Sequence, residues 1–246
     1  MKLLDTTGGN TKLGKTNRTL LSDAVIRLLG HSNFRYAGLS LLPDDILCAG
    51  SKAAQCRKPC LESAGRGNMS NVRDGRARKR DFFYADLDAF LDQLRHELSN
   101  FDKLCKRTGA KAVVRLNVIQ DVDWTALGIP QEFPDIQFID YTKVPARLKP
   151  GYLPDNYKLI FSYSGVSTFA KQVDRALKTD APIAVVFRGG LPQTFLGRDV
   201  IDGDRSHLLN AYADGMIVGL RAKGRALSDA SGFVVDNPEL IAVSAA

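Results

Sequence analysis

"RDFFYADLDAFLDQLRHELSNFDKLCKRTGAKAVVRLNVI" runs from Arg80 to Ile119 and carries the pattern on which the fold turns. Its first part is helical. Phe83, Leu87, Phe90, Leu91, Leu94, Leu98, Phe101 and Cys105 recur at three- and four-residue intervals, which places them on one stripe of a helix over Arg80–Arg107. Gly109 supplies a stop signal just past that helix. The last part, Ala110–Ile119, is a short continuous apolar run of the kind found in parallel sheets covered on both faces. A long helix that leads at once into a buried strand is one α-to-β step of an α/β fold.

The same alternation continues in both directions. Upstream, "RYAGLSLLP" (Arg35–Pro43) reads as a strand ended by its proline. Downstream, strand-like runs occupy Ile136–Lys143, Tyr157–Ser164, Ala181–Phe187, Asp199–Asp204 and Gly215–Leu220, with an amphipathic helix over Val166–Thr179. The array has about seven strands. Several connections are too short or irregular for eight full βα units. The expectation is therefore an α/β fold with an incomplete (βα) barrel-like parallel sheet, with a doubly wound open sheet as the competing architecture. No Gly-rich dinucleotide fingerprint or phosphate loop follows any of these strands. There is no internal repeat or low-complexity linker, so residues 1–246 are read as one domain. Residues 1–34, rich in Gly, Thr and Asn and weakly helical around Leu20–Leu29, read as an N-terminal extension to a core over 35–246.

The 246 residues, 44% apolar and 25% charged, have the composition of a globular protein able to bury a core without disulfides. No apolar run approaches the ~20 residues that span a bilayer. The first 21 residues, "MKLLDTTGGNTKLGKTNRTLL", lack the apolar core of a secretory signal. A cytoplasmic protein with no membrane partner is expected. The net charge of +7 permits contact with nucleic acid without demanding it. The basic residues cluster at Arg66, Arg73, Arg76, Arg78, Lys79 and Arg80, with Asp74 the one acid among them. This run is either a solvated loop and helix entry or a phosphate-contacting patch.

Three of the four cysteines, Cys48, Cys56 and Cys60, fall in one short loop after the first strand. The fourth, Cys105, lies on the apolar stripe of the long helix. In a reducing compartment, clustered thiols point to metal or redox chemistry more than to disulfides. A structural zinc site wants four ligands, usually in close C-x2-C pairs, and that pairing is absent. Three thiolates suit a [4Fe–4S] cluster with one iron left open. Lys52, Arg57 and Lys58 flank the cysteines with positive charge that favours thiolates. Zinc and no metal at all remain alternatives.

The carboxyl ends of parallel strands are the functional face of such folds. Here those ends deliver Asn117, Asp121, Asp140, Tyr141, Thr142, Lys143, Ser162, Ser164, Arg188, Asp202 and Asp204. Together they would make a site for a polar, partly charged small molecule, and the basic run over Arg66–Arg80 allows that molecule to be a nucleotide. Asp202 and Asp204 in "VIDGDRSH" are either a solvated Asp-Gly turn or ligands for a hard cation. His31, His96 and His207 are too few and too scattered for a zinc hydrolase.

A strand, a three-cysteine loop and alternating βα units resemble the radical S-adenosylmethionine superfamily in architecture. The spacing here is C-x7-C-x3-C, where that superfamily uses C-x3-C-x2-C. The chain also resembles a family of bacteriophage and prophage proteins. The likeness is carried by Gly8–Lys12, Cys48–Gly65, Val114–Trp124, Tyr141–Lys143, Asn156–Ser164, Ile183–Phe187, Val200–Asp204 and Met216–Gly224. The phage likeness would place the protein in the cytoplasm of a bacterial host. The radical S-adenosylmethionine likeness implies a [4Fe–4S] cluster on Cys48, Cys56 and Cys60, with S-adenosylmethionine on its open iron and an electron donor. It further implies Asn117, Asp121, Ser162, Arg188 and Asp202 around the cofactor, and Tyr141 and Lys143 toward the substrate.

Overall fold

The computed structural model of the chain describes residues 1–6, 26–27, 30–31 and 33–237. The helix expected around Leu20–Leu29 and the Gly8–Lys12 stretch lie largely outside the described residues. The strands are β1 (Leu4–Asp5), β2 (Phe34–Leu39), β3 (Lys111–Arg115), β4 (Gln137–Thr142), β5 (Tyr157–Ser162), β6 (Ile183–Arg188), β7 (Thr194–Phe195), β8 (Arg198–Asp202), β9 (Ile217–Arg221) and β10 (Val235–Asp236). The α-helices are α1 (Ser70–Ala85), α2 (Leu87–Arg107), α3 (Ile129–Glu132), α4 (Ala170–Leu177) and α5 (His207–Asn210).

All ten strands join one sheet in the order β1-β2-β3-β4-β5-β6-β9-β8-β7, with β10 beside β6. From β2 to β8 every pairing is parallel, while β1 and β7 are antiparallel margins. The sheet does not close, so the barrel-like expectation gives way to an open sheet. Its two ends are β1 and the β7–β8 hairpin, and among the described residues no strand pair links them. The chain's first residues are also less of an appendage than expected. Leu3 and Leu4 are buried in the core, and their backbone N–H groups donate to the Glu97 carboxylate.

Side chains alternate across a strand, and the two faces of this sheet are covered differently. On one face Phe90, Leu94, Leu98 and Phe101 of α2 pack on Ala112, Val114, Phe138 and Leu159. Farther along that face, Phe169 and Val173 pack on Phe161, Ile183, Val185 and Ile217. On the other face Leu208 and Ala211 cover Val113, Ile139, Ile160, Ala184 and Val218. Fully burying a residue such as Leu94 is worth about 1.5–3 kcal/mol, so the α2 stripe alone is a major source of stability.

The long helix is two helices. At Asp86 the backbone leaves helical geometry (φ −154°, ψ 89°), and the carboxylate accepts the Ala89 N–H at 2.9 Å, capping α2. The break lets Phe82 and Phe83 of α1 meet Phe90 of α2, with ring centroids 5.5 and 5.2 Å apart. Leu87, expected on the buried stripe, is exposed at the first turn of α2.

At its carboxyl end the sheet splits. β5 accompanies only Ile183 and Ala184 of β6. Beside Phe187 and Arg188 its place is taken by β10.

Candidate functional site

The cysteine loop is tied down from several directions. The Asp121 N–H donates to Leu47 O at 2.9 Å, Ser164 Oγ to Ala54 O at 2.8 Å, and Thr168 Oγ1 to Ala53 O at 2.7 Å. Tyr84 of α1 donates to the Asp44 carboxylate, and Arg57 donates to Pro43 O. The loop therefore lies over the carboxyl ends of β3, β4 and β5. Gln55, inside it, has a left-handed backbone (φ 50°), which non-glycine residues rarely adopt.

Lys143 stands at the centre. Its side chain is buried, and Nζ donates to Ser162 O and Ser162 Oγ at 2.9 Å each and to Tyr163 O at 3.3 Å. The ammonium also lies 5.4 Å from the Phe169 ring centroid and 4.9 Å from that of Phe233. Burial lowers its pKa, while Cys56, Asp121, Cys60 and Cys48 all pull it back up. The amine thus shares one electrostatic neighbourhood with all three loop thiols.

The thiols sense one another as well. Burial pushes Cys48 up to about 12, with Asp121, Cys60 and Cys56 adding to the effect and Arg57 opposing it. Burial also raises Cys56, against the pull of Lys143. Cys60 rises chiefly by burial, with Cys56 contributing. No disulfide joins any of the four cysteines.

Asp121 braces this centre from below. One oxygen accepts the Lys143 N–H at 2.8 Å and Thr142 Oγ1 at 3.2 Å, and the other accepts Arg147 Nη1 at 2.7 Å. Burial raises its pKa, and the Arg147 guanidinium is the strongest opposing influence.

Among the described residues no three His, Cys, Asp or Glu side chains form a group that could hold a metal ion. A tetrahedral zinc with Zn–S bonds of ~2.3 Å would draw its thiolates to about 3.8 Å of one another. A cubane cluster spreads three cysteines over three different irons and asks for a wider set. The loop offers three thiols, no disulfide and a buried cation in the same region.

Of the residues expected at the site, Cys48, Cys56, Cys60, Asp121, Lys143 and Ser162 are brought together. Four are not. Asn117 is a clasp within its own loop: Oδ1 accepts the Val122 N–H and Trp124 Nε1, and Nδ2 donates to Val122 O. Arg188 is a clamp on the final described strand. Its Nε and Nη2 fork onto the Asp236 carboxylate at 2.6 and 3.0 Å, and Nη1 reaches Asp229 O. Asp202 and Asp204 pair with Arg221 and Lys223 near the β8–β9 end of the sheet.

Tyr141 faces the opposite side of the sheet. Its hydroxyl is 3.1 Å from His207 Nδ1 and accepts from Asn210 Nδ2 at 2.9 Å, while Arg115 Nη1 is 3.0 Å from His207 Nε2. The Arg115 guanidinium also lies over the Tyr141 ring. Sequence reading missed this buried polar cluster because His207 is far from its partners along the chain. It also missed Arg147, although "KVPARL" places that residue one turn beyond Lys143.

The basic run on α1 is partly consumed by the fold. Arg76 Nη1 donates to Gly67 O, Lys79 Nζ to Leu3 O, and Arg80 to Asp81. Arg66, Arg73 and Arg78 are exposed.

The sequence model of the family described as Gene product 88 matches residues 1–237. The chain belongs to the Gene product 88 family. The match takes in every described residue, the cysteine loop and Lys143 included, and fits the likeness to a phage-type family. No curated protein and no solved structure matches the chain. The likeness to radical S-adenosylmethionine enzymes gains no support from these comparisons. No helix among the described residues of this Gene product 88 member is long and apolar enough to cross a membrane.

Proposed function

We propose that this protein is an iron–sulfur protein, with Cys48, Cys56 and Cys60 holding a [4Fe–4S] cluster, and that it acts as a radical-S-adenosylmethionine-like enzyme on a nucleotide or other small polar substrate. One observation carries the reading. The cysteine loop presses Gly50 against Lys143, and Cys56 packs with Phe169 and Phe233, the two rings that flank the Lys143 ammonium, over the carboxyl ends of the parallel strands. A [4Fe–4S]2+ core with three thiolates carries about one net negative charge, which a fixed ammonium offsets.

A cluster of this kind supplies an open iron and an electron from an external donor. The chain's own residues do the rest. Lys143, locked by Ser162 and Tyr163, holds positive charge beside the thiolates. Asp121 and Arg147 hold the backbone at Lys143 in place. Phe169 and Phe233 keep water from the ammonium.

The test is anaerobic purification followed by iron and sulfide analysis and a visible spectrum. A brown protein that loses its iron when Cys56 is changed to Ser supports the cluster. Reductant and S-adenosylmethionine should then yield 5′-deoxyadenosine. A colourless, iron-free protein after reconstitution overturns the cluster. A cluster without cofactor cleavage overturns the enzyme assignment alone.

A second reading, a non-catalytic nucleic-acid-binding or host-interaction protein with a structural metal, is favoured by exposed Arg66, Arg73 and Arg78 around α1, a helix that buries none of its residues. Phosphate contacts would make its binding fall steeply with salt.

A further inference from the structure

Beside the cysteine loop lies a cavity of about 720 Å³, walled on one side by Ser51, Arg57 and Lys58 and on the other by Arg225, Ser228 and Asp229. That volume is in the range of small-molecule sites. The two walls are packed against each other below it, where Cys56 contacts the cluster of Ala226, Phe233 and Val234.

The charge of the walls is one-sided. The single carboxylate, Asp229, is engaged within its own segment, accepting Ser231 Oγ at 2.8 Å and the Val234 N–H at 3.0 Å. Lys52, also on the rim, pairs with Asp45 at 2.9 Å. Lys58 and Arg225 are exposed and form no ion pair among the described residues.

Two further polar groups at the cavity lack partners. Ser51 is only 3% exposed and its Oγ has no hydrogen-bond partner. Arg57 donates through Nη2 to Pro43 O, while its buried Nη1 has none. A buried donor without a partner is rare in a folded protein, and a guanidinium N–H and a serine hydroxyl that line one cavity are donors suited to an anionic oxygen. Cations from both walls, two unpartnered buried groups and a strained loop converge on one opening.

We propose that this cavity is an anion subsite that takes the phosphate of a small phosphomonoester. Arg57 and Ser51 bind the phosphate oxygens from the cysteine-loop wall, and Lys58 and Arg225 neutralise its charge from the rim. A dianion matches two uncompensated rim cations better than a carboxylate does. The inference stands on the cavity alone and deepens the proposed function only by naming a phosphorylated class of substrate or cofactor.

The test is titration calorimetry on the full chain with AMP, adenosine, inorganic phosphate and acetate, at low salt, with iron content recorded in parallel. AMP and phosphate should bind, and adenosine and acetate should not. The Lys58→Ala/Arg225→Ala variant, altered only at exposed side chains, should bind AMP at least tenfold more weakly. Lys171→Ala/Lys178→Ala, which removes two exposed charges on and just after α4, should bind as the parent does. Ser51→Ala should weaken phosphate without changing the response to salt. Equal binding of AMP and adenosine, equal binding of acetate and phosphate, or an unchanged affinity in Lys58→Ala/Arg225→Ala would each overturn the proposal. Binding that is independent of iron content separates this result from the fate of the cluster.

Discussion

A Cβ atom at position 50 would stand 2.6 Å from Lys143 Cβ. Glycine is therefore required where the cysteine loop crosses β4, because the neighbouring atom sits close to the backbone and cannot swing aside. Gly50→Ala should push the loop off Lys143 and cost about 1–3 kcal/mol, as overpacking does. Chemical denaturation measures the loss. Iron uptake by the same variant should fall if the thiols and Lys143 must stay in register.

Asp86→Ala removes the carboxylate that caps α2. The expected cost is about 1 kcal/mol, within the ~0.5–2 range of such caps. Asp86→Asn or Asp86→Ser should recover most of it. Thermal unfolding of the three variants decides whether the cap or some other contact holds the kink.

Asp140 predicts a pH dependence. Burial pushes its carboxyl up to about 7, against Arg115, the Asn117 and Leu116 N–H groups and the Tyr157 hydroxyl. The native state then holds a proton that the unfolded chain has already released. This group's contribution is fully present below about pH 4 and is lost as pH rises through the folded value. Unfolding free energy measured between about pH 5 and 8 should decline, and Asp140→Asn should flatten that slope even if its overall stability is lower.

Arg188→Ala should release the β10 segment. The residue holds Asp236 by two bonds and the carbonyls of Leu227 and Asp229 by one each. The loss of global stability should be small, since the pair is solvent-screened. Hydrogen exchange should rise over residues 224–237 and stay unchanged in α2. Uniform exchange across the chain would show that the clamp is not local.

Much of the α/β order was legible because it rests on local periodicity. Phe90, Leu94, Leu98, Phe101 and Cys105 all lie on the buried stripe that their spacing implies. The apolar run at Ile183–Phe187 became an interior strand of the parallel array. Closure of the sheet was not legible, since it depends on how the strand at each margin is covered. The break at Asp86 was hidden because an aspartate inside a periodic stretch looks the same whether it caps a helix or faces water. Cys48, Cys56, Cys60 and Lys143 are singled out by residue type and strand position, and the fold brings the cysteine loop over Lys143. Tyr141 and Arg188 sat at equally suggestive strand ends, yet one turned to the other face and the other became a clamp. Residue type at a strand end indicates polarity and leaves direction open.

The two walls of the proposed anion cavity, residues 51–59 and 225–231, are separated by most of the chain. They meet where Cys56 packs on Ala226, Phe233 and Val234, just before β10 lies beside β6. Such a pocket cannot exist in a half-folded molecule, where closing so long a loop has not yet been repaid by contacts. Ligand affinity would then report completion of the tertiary structure. A bound anion would in turn raise the melting temperature by mass action, acting as a latch between the cysteine loop and the returning strand.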